Sequence, residues 1–171
     1  MKMLQKLIEK VVLPSEAKQR IIQWQKNDQS VVFTNGCFDI IHEGHVTYLA
    51  GASDEGKKLV IGLNTDASVR RQGKGSDRPV NSENSRALIL AALSFVDLVV
   101  FFDEDTPLEL IKLLRPDVLV KGADYNPDET DPSSKGYIVG SVEVKQYDGK
   151  VKVIPLVQGF STTSILNRIS E

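Results

Sequence analysis

The chain has 171 residues, 41% hydrophobic and 26% charged, with 12 Gly and 7 Pro, a make-up that fits one globular domain and excludes a disordered or fibrous chain. A net charge of −2 supplies no bulk basicity for nucleic acid, a single cysteine (Cys37) excludes an internal disulfide, and two histidines form no zinc cluster. No window approaches a membrane span, residues 1–13 lack the apolar core and cleavage site of a signal peptide, and a reducing cytoplasm is the expected setting.

Residues 1–30 read as a helical extension packing on a domain that spans residues 31–171. Ala17, Ile21, Ile22 and Trp24 have helical spacing, with Ser15 as the expected N-cap after Pro14 and Asn27-Asp28 closing the segment. Val31-Val32-Phe33-Thr34 is a short apolar, β-branched run that stops at Asn35-Gly36, the pattern of a buried parallel strand ending in a turn. The next helix is expected to start near Gly44 and to carry Val46, Tyr48, Leu49 and Ala52 towards Gly56.

Residues 59–63 make a second strand, and Asn64-Thr65-Asp66 is a cluster that can cap a short helix through Val69. Residues 70–80 are polar, basic and glycine-rich, which predicts a loop. Helical spacing returns over residues 82–93, with Ala87, Leu88, Leu90, Ala91 and Leu93 on the inner face. A third strand covers residues 96–102; Thr106-Pro107 opens a helix with proline at its first position, and Arg115-Pro116 ends it.

A fourth strand is read over residues 117–121. The polar stretch 122–136 that follows is long enough to suggest that it serves a site. Residues 138–147 fit helix or strand, with helix favoured; residues 151–155 form a fifth strand, and Ser161 caps a last helix bearing Ile165, Leu166 and Ile169. Strands alternating with helices predict an open parallel sheet covered on both faces, with ligands at the carboxyl ends of its strands.

The first such end carries the densest chemistry. His42 and His45 are three apart where a helix begins, and Gly44 between them lets a large anion approach the backbone. Helix-start N–H groups and the positive end of the dipole would join them around a phosphate. Spacing alone equally allows one histidine to cap the helix and the other to decorate the surface. A metal site is disfavoured, since only Asp39 and Glu43 stand near as further ligands.

Gly36-Cys37-Phe38-Asp39-Ile40-Ile41-His42-Glu43-Gly44-His45 resembles the G-x-F-D-x-x-H-x-G-H signature of the cytidylyltransferase-like nucleotidyltransferases, and Gly159-Phe160-Ser161-Thr162-Thr163 resembles their G-x-S-T-T signature. Within that family the runs Gly62-Leu63-Asn64-Thr65-Asp66, Lys74-Gly75, Arg78-Pro79-Val80 and Lys121-Gly122-Ala123-Asp124-Tyr125 are similar to the branch that joins AMP to D-glycero-β-D-manno-heptose 1-phosphate. In some relatives such a domain follows a sugar kinase, for which this chain has no room; a stand-alone transferase is expected.

The resemblance implies a three-layer α/β, Rossmann-like nucleotidyltransferase fold around a five-stranded parallel sheet, with ATP and a sugar 1-phosphate as substrates and magnesium held through the phosphates. It gives the reacting α-phosphate to His42 and His45, and the outer phosphates to Ser161, Thr162 and Thr163. Lys74 becomes the loop cation. Thr34, Asn35, Gly36 and Phe38 are expected to line the nucleotide and acceptor pocket, and Lys121, Gly122, Asp124 and Tyr125 to lie where the nucleoside sits. Asp39, Asn64, Asp66 and Arg78 are candidates for the acceptor, although Asp39 also suits a loop-fixing role and Asn64 and Asp66 suit helix caps. Arg78 and Arg86 are possible phosphate ligands, a salt bridge on a solvated face being the commoner fate of a lone arginine. Leu156 stands where the glycerol-phosphate cytidylyltransferase branch has an arginine, which disfavours that branch. Cys37 reads as pocket lining, and a homodimer is expected.

Overall fold

The computed structural model describes residues 1–73, 78–157 and 159–170. Two short N-terminal elements, α1 (Lys2–Ile8) and β1 (Val11–Val12), precede α2 (Pro14–Lys26). Pro14 occupies the first helical turn, where its missing N–H costs nothing, so the N-cap position falls on Leu13 and not on Ser15. β2 (Val31–Gly36), α3 (Glu43–Ser53), β3 (Lys58–Asn64), α4 (Asp66–Arg71) and α5 (Glu83–Ala92) follow. The chain continues through β4 (Leu98–Phe102), α6 (Leu108–Leu114), β5 (Val118–Gly122), α7 (Ser141–Gln146), β6 (Lys150–Ile154) and α8 (Thr162–Ser170). Residues 138–147 thus contain a helix, which starts after Gly140 at φ 88, a conformation suited to glycine. Pro107 stands at the N-cap position of α6, one place earlier than proline at the first helical position requires.

The sheet has six parallel strands in the order β1-β4-β3-β2-β5-β6, one more than the sequence suggests. The extra strand lies in the supposedly all-helical extension. Val11 and Val12 pair with Val99 and Val100 of β4 at one edge, and two residues are too few to show strand alternation in sequence. Apart from β1, the chain runs outward from β2 through β3 to β4, then returns to the other side of β2 as β5 and β6. That reversal opens a crevice at the carboxyl ends of β2 and β5.

Two apolar cores cover the faces. Phe33, Val60, Leu98 and Leu119 meet α2, α6 and α7 through Ile21, Ile111 and Val144. Val32, Leu59, Ile61 and Val120 meet α3 and α5 through Leu49, Ala52 and Leu90. Successive side chains of a strand alternate between these layers, which fixes which side of the crevice each strand-end residue serves.

Candidate active site

A cavity of about 870 Å³ occupies the crevice. Its floor is the end of β2 and the turn that follows. A Cβ on Gly36 would stand 3.0 Å from the ring of Phe38, which folds back because Phe38 adopts φ 43. The Phe38 ring then meets His45 edge-on, at 5.4 Å between centroids and 69° between planes. Asp39 is buried and spends both oxygens on the protein: one accepts from Arg78 Nε at 2.7 Å and from Val80 N–H at 2.8 Å, the other from Asn81 N–H at 2.9 Å. This carboxylate ties the motif turn to residues 78–81.

His42 occupies the N-cap of α3, its Nδ1 accepting from the His45 backbone N–H at 3.4 Å. A neutral His42 in this pose keeps its proton on Nε2. The two imidazoles stack at 3.9 Å with 19° between planes. Burial lowers the pKa of His42; burial first, and then the neighbouring His42, bring that of His45 to about 4. Nδ1 of His45 is buried without a hydrogen bond of normal geometry, the Ile40 backbone lying near enough only to oppose the shift. At neutral pH both rings are therefore uncharged donors and acceptors.

Gly44 must stay small, since a Cβ there would lie 3.0 Å from that of Phe160 and 3.1 Å from His42 Nδ1. Phe160 stacks on His42 at 6.1 Å and brings the start of α8 to the same cavity wall. There Ser161 Oγ accepts from Ser164 N–H at 3.0 Å. Ser161 and Thr162 line the cavity; Thr163 is not among the lining residues.

On the β5 side, Lys121 Nζ lies 3.5 Å from the Asn35 carbonyl oxygen and 5.6 Å from the Tyr125 ring centre. A Cβ on Gly122 would collide with Asp124 Oδ1 at 2.5 Å, so glycine is what lets Asp124 and Tyr125 turn into the cavity. Thr34 is not at the cavity surface: it is fully buried, its hydroxyl 2.7 Å from that of Tyr48, which also donates to the Val120 carbonyl at 3.3 Å.

Of the Asn64-Thr65-Asp66 cluster, only Thr65 caps α4, accepting from Ser68 N–H at 3.1 Å. Asn64 is buried, lines the cavity and donates to Ser68 Oγ at 2.9 Å. Asp66 lies off the cavity and pairs with Arg86 at 2.8 Å. Arg86 corrects the solvated-face reading outright. It is 1% exposed and donates to the carbonyls of Asn81 (3.0 Å), Cys37 (2.5 Å) and Asn64 (2.9 Å) as well as to Asp66. Lys74 lies outside the described residues. The sequence reading also missed Gln72, Asp105, Thr106, Tyr137 and Val139, which complete the lining from the helices and loops behind β3, β4 and β5. Only the length of the 122–136 stretch hinted at any of them.

A parallel α/β sheet whose crevice receives a stacked H-x-G-H pair at one helix start and a serine-capped second helix start has the build of a nucleotide-handling transferase. Residues 33–168 match the model of the cytidylyltransferase-like family. The chain belongs to that family and is a nucleotidyltransferase. It is 53% identical over 162 residues to the bifunctional protein HldE of Magnetococcus marinus, covering 95% of this chain and 31% of that one. With the protein of the same name from Syntrophotalea carbinolica it shares 56% over 145 residues, 85% of this chain and 28% of the relative. The chain thus spans about a third of the length of these relatives.

Among solved structures, a lipopolysaccharide core biosynthesis protein from Thermoplasma volcanium superposes with TM-score 0.56 at 25% identity, covering 75% of this chain and 97% of that one. The fold is shared as well with a pantoate-beta-alanine ligase from Francisella tularensis, at TM-score 0.59 and 14% identity over 93% and 77% of the two chains.

Proposed function

We propose that this domain transfers AMP from ATP to D-glycero-β-D-manno-heptose 1-phosphate, releasing pyrophosphate and forming ADP-heptose, a precursor of lipopolysaccharide core. The observation that carries the reading is the convergence of two helix starts on one cavity, that of α3 with its stacked histidines and that of α8 with Ser161 and Thr162. A triphosphate is long enough to use both. Similarity to the HldE proteins over nearly the whole chain supports the heptose branch.

In this reading the sugar phosphate oxygen attacks the α-phosphorus in line. The new O–P bond forms as the α–β bridging bond breaks, and pyrophosphate leaves with the electron pair. The acceptor is already an anion at neutral pH, so no general base and no covalent intermediate are needed, and catalysis rests on position and charge stabilisation. His42 and His45 offer neutral imidazole donors to the α-phosphate, while Ser161, Thr162 and the α8 start hold the outer phosphates. Lys74 supplies further positive charge. Asp105 and Asp124 line the cavity and would hold a magnesium ion that takes most of its ligands from phosphates and water, where it would neutralise charge on the triphosphate.

The test is pyrophosphate release by the purified chain with ATP or CTP, each against heptose 1-phosphate and glycerol 3-phosphate. Release with ATP and heptose 1-phosphate alone is expected. Preference for CTP and glycerol 3-phosphate would move the domain to the cytidylyl branch, and ATP binding without release for any pair would make it a non-catalytic nucleotide-binding module.

A further inference from the structure

β2 and β5 pair at Val32 with Val118 and at Phe33 with Leu119 and then part, whereas β2 stays paired to β3 as far as Gly36 with Leu63, and β5 to β6 as far as Gly122 with Ile154. The crevice is therefore a split between two strands, each still held on its outer side. Its width decides how far the groups on β2 and α3 stand from those that follow β5.

Tyr48 bridges the mouth of that split. It projects from α3, three positions after His45 and so on the same helix face. Its hydroxyl donates to the Val120 carbonyl of β5 at 3.3 Å and lies 2.7 Å from Thr34 Oγ1 of β2. A phenol has one proton, so with that proton on Val120 the Thr34 hydroxyl is the donor of the second bond. One side chain thus ties both parting strands, at the first residue of each beyond their last pair, to the helix that carries the histidines. Burial raises the Tyr48 pKa, which keeps the phenol a donor at neutral pH. A phenylalanine would fill nearly the same volume, so packing alone does not call for the hydroxyl.

We propose that Tyr48 is a positioning residue for the transfer, its hydroxyl setting the spacing between the β2 and β5 ends and the roll of α3. A nucleotide seated beside Lys121, Asp124 and Tyr125 then brings its α-phosphate onto His42 and His45. A misplacement of about 1 Å at the reacting centre costs on the order of 100-fold in rate, so a small change in the split reaches the chemistry. This assignment rests on the transferase reading above for where the two ends of ATP lie.

The test separates alignment from binding and from folding. Pyrophosphate release, ATP affinity and Tm are measured for wild type, Tyr48→Phe, Thr34→Val and Thr34→Ser, with whichever acceptor wild type turns over. Tyr48→Phe should lower kcat on the order of tenfold or more while the ATP Kd stays within about twofold, since contacts at the β5 end survive and alignment does not. Thr34→Val breaks the same chain at its other end and gives the same split if the phenylalanine variant fails to fold, and Thr34→Ser should recover most of that loss. A lower Tm with kcat within about twofold of wild type is what a merely structural hydroxyl gives, and it overturns the assignment, as does a loss confined to ATP binding. His42 and His45 are the chain's two histidines, so their ring proton signals give a readout that needs no acceptor. Saturating ATP with magnesium should shift both signals in wild type, and in Tyr48→Phe the shift should fall to about half or less. An undiminished shift, or none in wild type, overturns the assignment. If wild type turns over no acceptor, the proposed function falls by that result alone, and the histidine shifts decide the role of Tyr48.

Discussion

His45 shows how packing at a helix start can hold a histidine neutral. Held against His42 and out of water, it stays unprotonated down to about pH 4, whereas an unfolded chain protonates a histidine near 6.5. Between those values the unfolded state binds the extra proton. Stability from this residue is therefore complete above about pH 6.5 and declines as pH falls towards 4. His45→Gln, which cannot be protonated, should flatten the stability profile across that window in urea unfolding at a series of pH values; an unchanged slope would refute the shift. For activity, His42→Ala and His45→Ala are each expected to lower kcat by about 100-fold or more, the scale for one lost transition-state donor. Single-turnover pyrophosphate release measures it, and near-normal rates in both variants would remove the histidines from the chemistry. These two residues were legible from spacing and motif together. The hydrogen bond from the His45 backbone to the His42 ring was not, because motif spacing fixes the turn and leaves ring orientation to packing.

Between elements, the most consequential contact is one that the sequence reading placed on the surface. Arg86 ties the turn after β2, the end of β3, the start of α4 and the stretch leading into α5 through four acceptors. Its position was readable: the buried stripe of α5 is Arg86, Ala87, Leu90 and Ala91, so residue 86 shares the inner face at spacings of three and four. Charge masked the geometry, because an isolated arginine is seldom buried unless every donor is used, and partners scattered over 49 positions of chain leave no local trace. Arg86→Leu strands the Asp66 carboxylate and three carbonyl groups, so a loss of about 3–5 kcal/mol is expected in urea unfolding. Arg86→Lys should recover little, since one ammonium group cannot span acceptors on several sides. Stability within 1 kcal/mol of wild type for Arg86→Leu, on the order of a surface change, would show that the four segments hold together without it.

Across the whole molecule, the alternation of strands and helices made the α/β class and five of the six strands readable, because each run is long enough to carry its own period. β1 escaped because a two-residue edge strand owes its existence to β4. Lys10 accepts from Val99 N–H at 2.9 Å through its carbonyl and donates through Nζ to the Ala91 carbonyl at 3.1 Å, clipping the edge to the end of α5. Val12 is buried at the same edge. The cavity sits over the carboxyl ends of β2 and β5 and is lined as well by Asn64 of β3 and by residues 105–107 after β4, whereas none of its described lining residues comes from residues 1–13. Stability and ligand binding should therefore separate on removal of residues 1–13. A loss of about 2 kcal/mol corresponds to a Tm lower by roughly 4–8 °C in a domain of this size. Saturating ATP at about 100 times its Kd adds roughly 2.7 kcal/mol to either form, so the ATP-induced rise in Tm should be nearly the same with and without the segment. A truncated chain that melts lower and no longer responds to ATP would show instead that the edge strand, which supplies no lining residue, helps to hold the crevice open.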